Sequence, residues 1–240
     1  MLFIALTTAA IAQKYPVTIY IASDSTAAIK LPEKRPETGW GEKVQAYFDA
    51  AKVHVDDRAL NGRSTKTFIS EGHWQSIVDS LKPGDLVLVE FGHNDESKDK
   101  GERYTRPDDF RKNLVRFVAD VRNKKGIIVL MTPVARRKFD KDGKLVDTHG
   151  EYPGIVREVA KQEKVPLIDM FDKTSRLLTS YGPERSRTLF LQLKPGENQN
   201  YPDGVEDNTH SNPAGAEENA KLVIEGIREQ KLSIRKYLKK

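Results

Sequence analysis

The chain alternates between two hydrophobic rhythms. Residues 17–22, Val-Thr-Ile-Tyr-Ile-Ala, form an uninterrupted, β-branched apolar run closed by turn residues, the pattern of a strand buried on both faces. Residues 53–55, 86–91, 127–131 and 165–169 read the same way. Between these runs, apolar residues recur every three or four positions. Trp40, Val44, Tyr47, Phe48 and Ala51 predict one helix, and Trp74, Ile77, Val78 and Leu81 a second. Phe110, Leu114, Phe117, Val118 and Val121 predict a third, and Ile155, Val156 and Val159 a fourth. A last helix starts near Asn212-Pro213, with Ala216, Ala220, Val223, Ile224 and Ile227 turned inward. Strands alternating with helices over nearly the whole chain predict a parallel sheet wrapped by helices. His54 and His73 fall within a strand and a helix pattern and read as structural. Residues 132–150 and 182–206 follow neither rhythm and are expected to be loops bordering a site.

Composition narrows this only a little. At 240 residues the chain suits one domain with a large core, and 31% charged, 38% hydrophobic and 8% aromatic residues are ordinary for a soluble globular enzyme. The absence of cysteine excludes disulfides and a thiol nucleophile. Residues 1–12 are almost wholly apolar, end Ala10-Ile11-Ala12 and precede Gln13-Lys14, like the core and cleavage site of a secretory signal, although no Lys or Arg leads them. They are too short to span a bilayer. The expectation is a signal remnant at 1–12, a single domain at 13–240, and a secreted or periplasmic protein.

The candidate chemistry sits where apolar runs end. Asp24-Ser25-Thr26 follows the first strand, at the carboxyl end where open α/β sheets bind ligands. Far downstream, Asp207 and His210 lie three residues apart in a polar stretch read as a loop that can aim both side chains at one point. Together these residues can supply a serine nucleophile, a base and an acid that orients the base. Asn61-Gly62-Arg63-Ser64 follows the second strand and Gly92-His93-Asn94-Asp95 the third. The backbone N–H groups of Gly62 and Ser25 and the side-chain amide of Asn94 are three donors that could converge on an oxyanion. Each string alone is a common turn. Their combination and order carry the argument.

The ordered set Asp24-Ser25, Gly62, Asn94 and Asp207-x-x-His210 resembles the four blocks of the SGNH, or GDSL-type, hydrolase superfamily. Asp24-Ser25-Thr26-Ala27, Gly39-Trp40-Gly41, Asn61-Gly62-Arg63-Ser64-Thr65, Gly92-His93-Asn94-Asp95 and Asp207-Asn208-Thr209-His210 resemble, more narrowly, its rhamnogalacturonan acetylesterase group. The resemblance implies a three-layer α/β/α sandwich around a flavodoxin-like parallel sheet of about five strands. It implies that Ser25 is the nucleophile, that Asp207 and His210 are acid and base, and that Ser25, Gly62 and Asn94 form the oxyanion hole. The family's first block usually reads Gly-Asp-Ser, whereas Ser23 occupies the glycine position here.

The implied activity is a serine esterase that deacetylates plant cell-wall polysaccharide, most simply the pectin rhamnogalacturonan, through an acyl-enzyme. Alternatives are an esterase on acetylated xylan or small acyl esters, and a non-catalytic carbohydrate-binding relative. A net charge of +5 and a pI near 9.2 favour a polyanionic partner, and Arg63, His93, Arg136 and Arg137 are the candidates to touch it, with Arg185 and Arg187 nearby. The basic face with interleaved aromatics that a nucleic-acid binder needs is not found. His93, Asp95, His149, Asp207 and His210 could in principle gather around an ion, but no metal-binding spacing supports it. No metal, no cofactor, no membrane span and a monomeric enzyme are expected.

Overall fold

A computed structural model describes residues 17–239 of the chain, so the signal reading of residues 1–12 lies outside the described residues. Five strands build one parallel sheet: β1 (Val17–Ser23), β2 (Val53–Asp57), β3 (Leu86–Glu90), β4 (Ile127–Met131) and β5 (Leu167–Ile168). Their spatial order is β2-β1-β3-β4-β5, with every neighbouring pair parallel. The helices are α1 (Gly41–Val44), α2 (Thr65–Ser70), α3 (His73–Ser80), α4 (Pro107–Asn123), α5 (Tyr152–Glu163), α6 (Met170–Arg185) and α7 (Pro213–Glu229). An antiparallel hairpin of β6 (Phe190–Leu193) and β7 (Val205–Ser211) stands apart from the main sheet.

The strands read as continuous apolar runs because both faces are covered. Ile19, Ile21, Leu86, Leu88, Val129 and Met131 pack on one side with Trp40, Val44 and Phe48 and with Ala220, Val223, Ile224 and Ile227 of α7. The alternate positions Tyr20, Ala22, Val87, Val89, Ile128 and Leu130 pack on the other with Phe68, Trp74, Ile77, Phe110, Leu114 and Phe117 from α2 to α4 and Val156 and Val159 from α5. At roughly 1.5–3 kcal/mol for each fully buried large side chain, these two layers are the main stabilising term and make the strand ends a rigid platform. This is the expected three-layer α/β/α sandwich. The strand order reverses between β1 and β3, and such a switch point opens a crevice at the carboxyl ends of the two strands.

Three expectations need correction, and one helix was not expected. The helix predicted over residues 40–51 is only α1 and a 3-10 turn, Gln45–Tyr47. Phe48 is already extended, and Ala51 is exposed in the turn that returns the chain to β2. Residues 170–185 form a helix whose pattern is blurred where Gly182 (φ 73°) and Pro183 kink it. Residues 182–206 are not wholly a loop, because they hold a 3-10 turn at Ser186–Leu189 and then β6. Asp207 and His210 lie within β7 rather than in a loop. In addition, His54 is exposed on β2, so nothing in the core depends on it. No helix among the described residues is long and apolar enough to cross a membrane.

Candidate active site

The turn that leaves β1 is held by its own side chains. Asp24 is fully buried; one carboxylate oxygen accepts from the Thr26 amide and the Thr26 hydroxyl, both at 2.9 Å. Its carbonyl accepts the amides of Ala27 and Ala28, closing a tight turn that leaves Ser25 at the apex. The Gly39-Trp40-Gly41 strap lies against this turn. The amides of Trp40 and Gly41 donate to the carbonyls of Thr26 and Ala27, and a Cβ on Gly39 would sit 2.1 Å from the Ala27 oxygen. Only a glycine permits that approach.

Ser23 needs no special backbone, because it is the last residue of β1 and is fully buried. Its hydroxyl donates at 2.9 Å to Glu90, at the end of β3. Glu90 also accepts from Thr26 Oγ1, Trp40 Nε1 and the Val134 amide, so one buried carboxyl ties together strand, turn, strap and loop. Burial, and then the charge of Asp24, push Glu90 up to about 7. A glycine at position 23 could not make the hydroxyl contact, and serine fits where it stands.

Ser25 Oγ lies 2.9 Å from His210 Nε2, and His210 Nδ1 lies 2.6 Å from Asp207 Oδ2. The other oxygen of Asp207 accepts the amides of Thr209 and His210, at 2.7 and 2.9 Å. Burial alone would raise this carboxyl; the bond to His210, its charge and the two amides outweigh it and hold Asp207 down at about 2. A carboxylate so fixed orients the imidazole with its outer nitrogen free to take a proton from Ser25. The three residues thus meet in one hydrogen-bonded line.

The remaining donors line the same cleft, of about 390 Å³. Gly62 has φ 74°, a conformation that L side chains avoid, and an added Cβ would meet the Arg103 guanidinium at 3.0 Å. Among the described residues, no protein acceptor takes up the amides of Gly62 or Ser25. Asn94 Nδ2 donates to the Arg63 carbonyl at 3.1 Å, which fixes the amide and leaves its second N–H available. Next to it, the buried Asp95 accepts from the amide and hydroxyl of Thr65 at the start of α2, tying the Asn94 segment to the Gly62 loop. Burial raises Asp95 to about 7 against those bonds.

The predicted contact residues separate. Arg136 lines the cleft, anchored to Glu96 and to the His93 carbonyl. His93 also lines it but is buried, its Nδ1 3.6 Å from Asp24 Oδ2, too long for a hydrogen bond. Burial lowers it to about 4, so the ring is neutral near pH 7. Arg63 does not reach the cleft, because its guanidinium turns to Glu71 and to the Asn61 carbonyl. Arg137 does not reach it either; it donates to Asn208 Oδ1 and Ser186 Oγ and braces the hairpin. Arg185 lies over the Tyr181 ring and Arg187 pairs with Glu206, so neither faces Ser25. The cations that do line the cleft beside Arg136 are Lys34, Lys100 and Arg103, and Glu37 joins them. None of these four carries a sequence signal, since they belong to short 3-10 turns and a loop brought together only by the fold. The five residues weighed for a metal form no common cluster: His93 meets His149 edge to face, the nitrogens of His149 face Glu96 and the Val134 carbonyl, Asp95 accepts from Thr65, and Asp207 faces His210, which faces Ser25.

Residues 23–218 match the model of the GDSL-like lipase/acylhydrolase family. The chain is 42% identical to the rhamnogalacturonan acetylesterase RhgT of Bacillus subtilis (strain 168), over 94% of this chain and 95% of that protein. It is 36% identical to the probable rhamnogalacturonan acetylesterase YesY of the same organism, over 88% and 92%. Among solved structures, a Bacillus subtilis protein superposes with a TM-score of 0.77 at 27% identity, covering 91% of this chain and 58% of that longer one. The acetylxylan esterase Axe2 of Geobacillus stearothermophilus shares the fold, with a TM-score of 0.64 at 17% identity over 92% of this chain and 98% of that one.

Proposed function

The chain belongs to the GDSL-like lipase/acylhydrolase family, and from that premise we propose that it is a serine esterase that removes acetyl groups from rhamnogalacturonan. The observation that carries this reading is the hydrogen-bonded line from Ser25 through His210 to Asp207, opening into the cleft that Gly62 and Asn94 also line. Two relatives of 42% and 36% identity, matched over nearly their full lengths and named for this activity, support the choice of substrate. The four cations of the cleft support it too, because guanidinium and ammonium groups pair with the sugar carboxylates of pectin.

In this mechanism His210 Nε2 takes the proton of Ser25 as Oγ attacks the acetyl carbon. The tetrahedral oxyanion is held by the N–H groups of Ser25 and Gly62 and by the Asn94 amide. It collapses as His210 returns the proton to the departing sugar oxygen, leaving acetyl-Ser25. Water, deprotonated by His210, then attacks the acyl carbon and frees acetate. Asp207 stays ionised throughout and keeps the imidazole in the productive orientation. The localisation proposed with this reading is secreted or periplasmic, where a polymeric substrate would be met.

The test is acetate release from acetylated rhamnogalacturonan and acetylated xylan, comparing the protein with Ser25→Ala. Release from rhamnogalacturonan by the parent alone is expected. A preference for xylan would keep the mechanism and overturn the substrate, and release by both proteins would overturn the role of Ser25.

A further inference from the structure

The loop between β1 and α1 carries an ion pair for which the proposed mechanism has no use. The Lys30 side chain is 1% exposed, yet its ammonium has three partners. It donates to the Ser25 carbonyl, to Asn61 Oδ1 at 2.8 Å and to Glu37 Oε1 at 2.8 Å. A buried charge persists only when paired and hydrogen-bonded, and each of these partners belongs to a different segment of the site. Glu37 is pinned in turn. Its amide donates to the Lys34 carbonyl, and the next amide, of Thr38, donates at 2.9 Å to the carbonyl of Ser211, beside His210 in β7. The result sets Glu37 Oε1 4.0 Å from His210 Nε2, the nitrogen that faces Ser25.

We propose that Glu37, held by Lys30, is a positioning residue for the proton transfers at His210: its carboxylate faces the outer nitrogen as Asp207 faces the inner one, and steadies the imidazolium between them. This rests on the reading of Ser25, His210 and Asp207 as the reacting line. The Ser25 proton moves to Nε2 and later to the departing sugar oxygen. Glu37 gains no proton at any step. Lys30 keeps it from moving in to take the place of Ser25 on Nε2.

The charges around the ring are few enough to assign. Asp207 faces it from its own strand, and Glu37, paired with Lys30, faces it from the loop after β1. Tyr201, in the segment before β7, donates its hydroxyl to the Lys34 carbonyl, and burial and then the charges of Glu37 and Asp207 raise its pKa. Lys34, Lys100, Arg103, Arg136 and neutral His93 line the rest of the cleft.

The experiment is the pH profile of kcat/KM on a small aryl acetate for the full chain, Glu37→Gln, Glu37→Asp and Lys30→Met, with Ser25→Ala as control. A carboxylate beside an imidazole favours its protonated form, which cannot accept the Ser25 proton. Removing that carboxylate therefore moves the acid limb to lower pH, by about half a unit or more, and lowers kcat about tenfold with little change in KM. Lys30→Met leaves Glu37 uncompensated and moves the limb to higher pH, while Glu37→Asp returns it toward the parent. A purely structural role would not shift the limb in opposite directions. If Lys30→Met fails to fold by thermal melting, the two Glu37 variants decide alone. An unmoved limb in folded Glu37→Gln overturns the inference and leaves the esterase reading standing. An inactive parent, or a Ser25→Ala protein as active as the parent, overturns the esterase reading and this inference with it.

Discussion

The two halves of the site are held by different physics. Ser25, Gly62 and Asn94 follow β1, β2 and β3, and the side chains behind the Ser25 turn (Ser23, Asp24, Trp40 and Glu90) are completely buried. Asp207 and His210 ride on a two-stranded hairpin whose own apolar cluster is small, built on Ala135, Leu178, Leu189 and Phe190. Their side chains are 26% and 27% exposed, and they are aligned mainly by local hydrogen bonds. Ser25 is placed by the core of the molecule. His210 is placed by the stitching of a surface element.

The largest expected effects test whether the halves act as one unit. Ser25→Ala on one side and His210→Ala on the other should each lower kcat by about 10⁴ or more, and the double variant should lose little beyond either. Stopped acetate release with unchanged melting curves would show this; additive losses would break the single-unit view. Next comes a variant meant to expose the buried half. Trp40→Ala removes a fully buried ring and one donor to Glu90, and should cost about 3–5 kcal/mol of stability in a denaturant titration. If it proves nearly neutral, the core does not hold the nucleophile turn.

Asn94→Ala should lower kcat by about 10²–10³, or about 3–4 kcal/mol in the transition state, with KM little changed. Arg137→Ala loosens the hairpin at Asn208 and is expected to reduce kcat a few-fold while changing stability by about 1 kcal/mol or less. A large loss of stability there would erase the contrast between the halves. The smallest effect is acid-induced. Asp207 sits near 2 in the fold against 3.8 when unperturbed, so it contributes stability above about 4 that is lost as pH falls toward 2. Limited proteolysis in that range should cut around β6 and β7 before the main sheet opens.

Sequence patterns revealed the buried half far better than the exposed one. The main strands and most core helices were legible because burial on both faces leaves unbroken apolar runs and three-to-four spacing. The blocks around Ser25, Gly62 and Asn94 were legible because each lies just past such a run. The hairpin was not, since β7 reads Val-Glu-Asp-Asn-Thr-His-Ser, with little apolar alternation to mark a strand. Arg63 and Arg137 illustrate a second limit. Sequence gave their nearness to the site, but their direction depends on Glu71 and Asn208, partners supplied by the fold. Lys30 and Glu37 were invisible for the same reason, because a pair seven residues apart in an irregular loop has no period to read.

The Ser25–His210 bond joins residues 185 positions apart. On the ribosome all five strands of the main sheet are made by Ile168, and the base follows some forty residues later. A chain released before residue 210 therefore lacks the hydrogen-bond partner of Ser25 and also α7, whose Ala220, Val223, Ile224 and Ile227 cover one face of the sheet. For the proposed esterase, acetate release therefore doubles as a readout of chains translated and folded through β7 and α7.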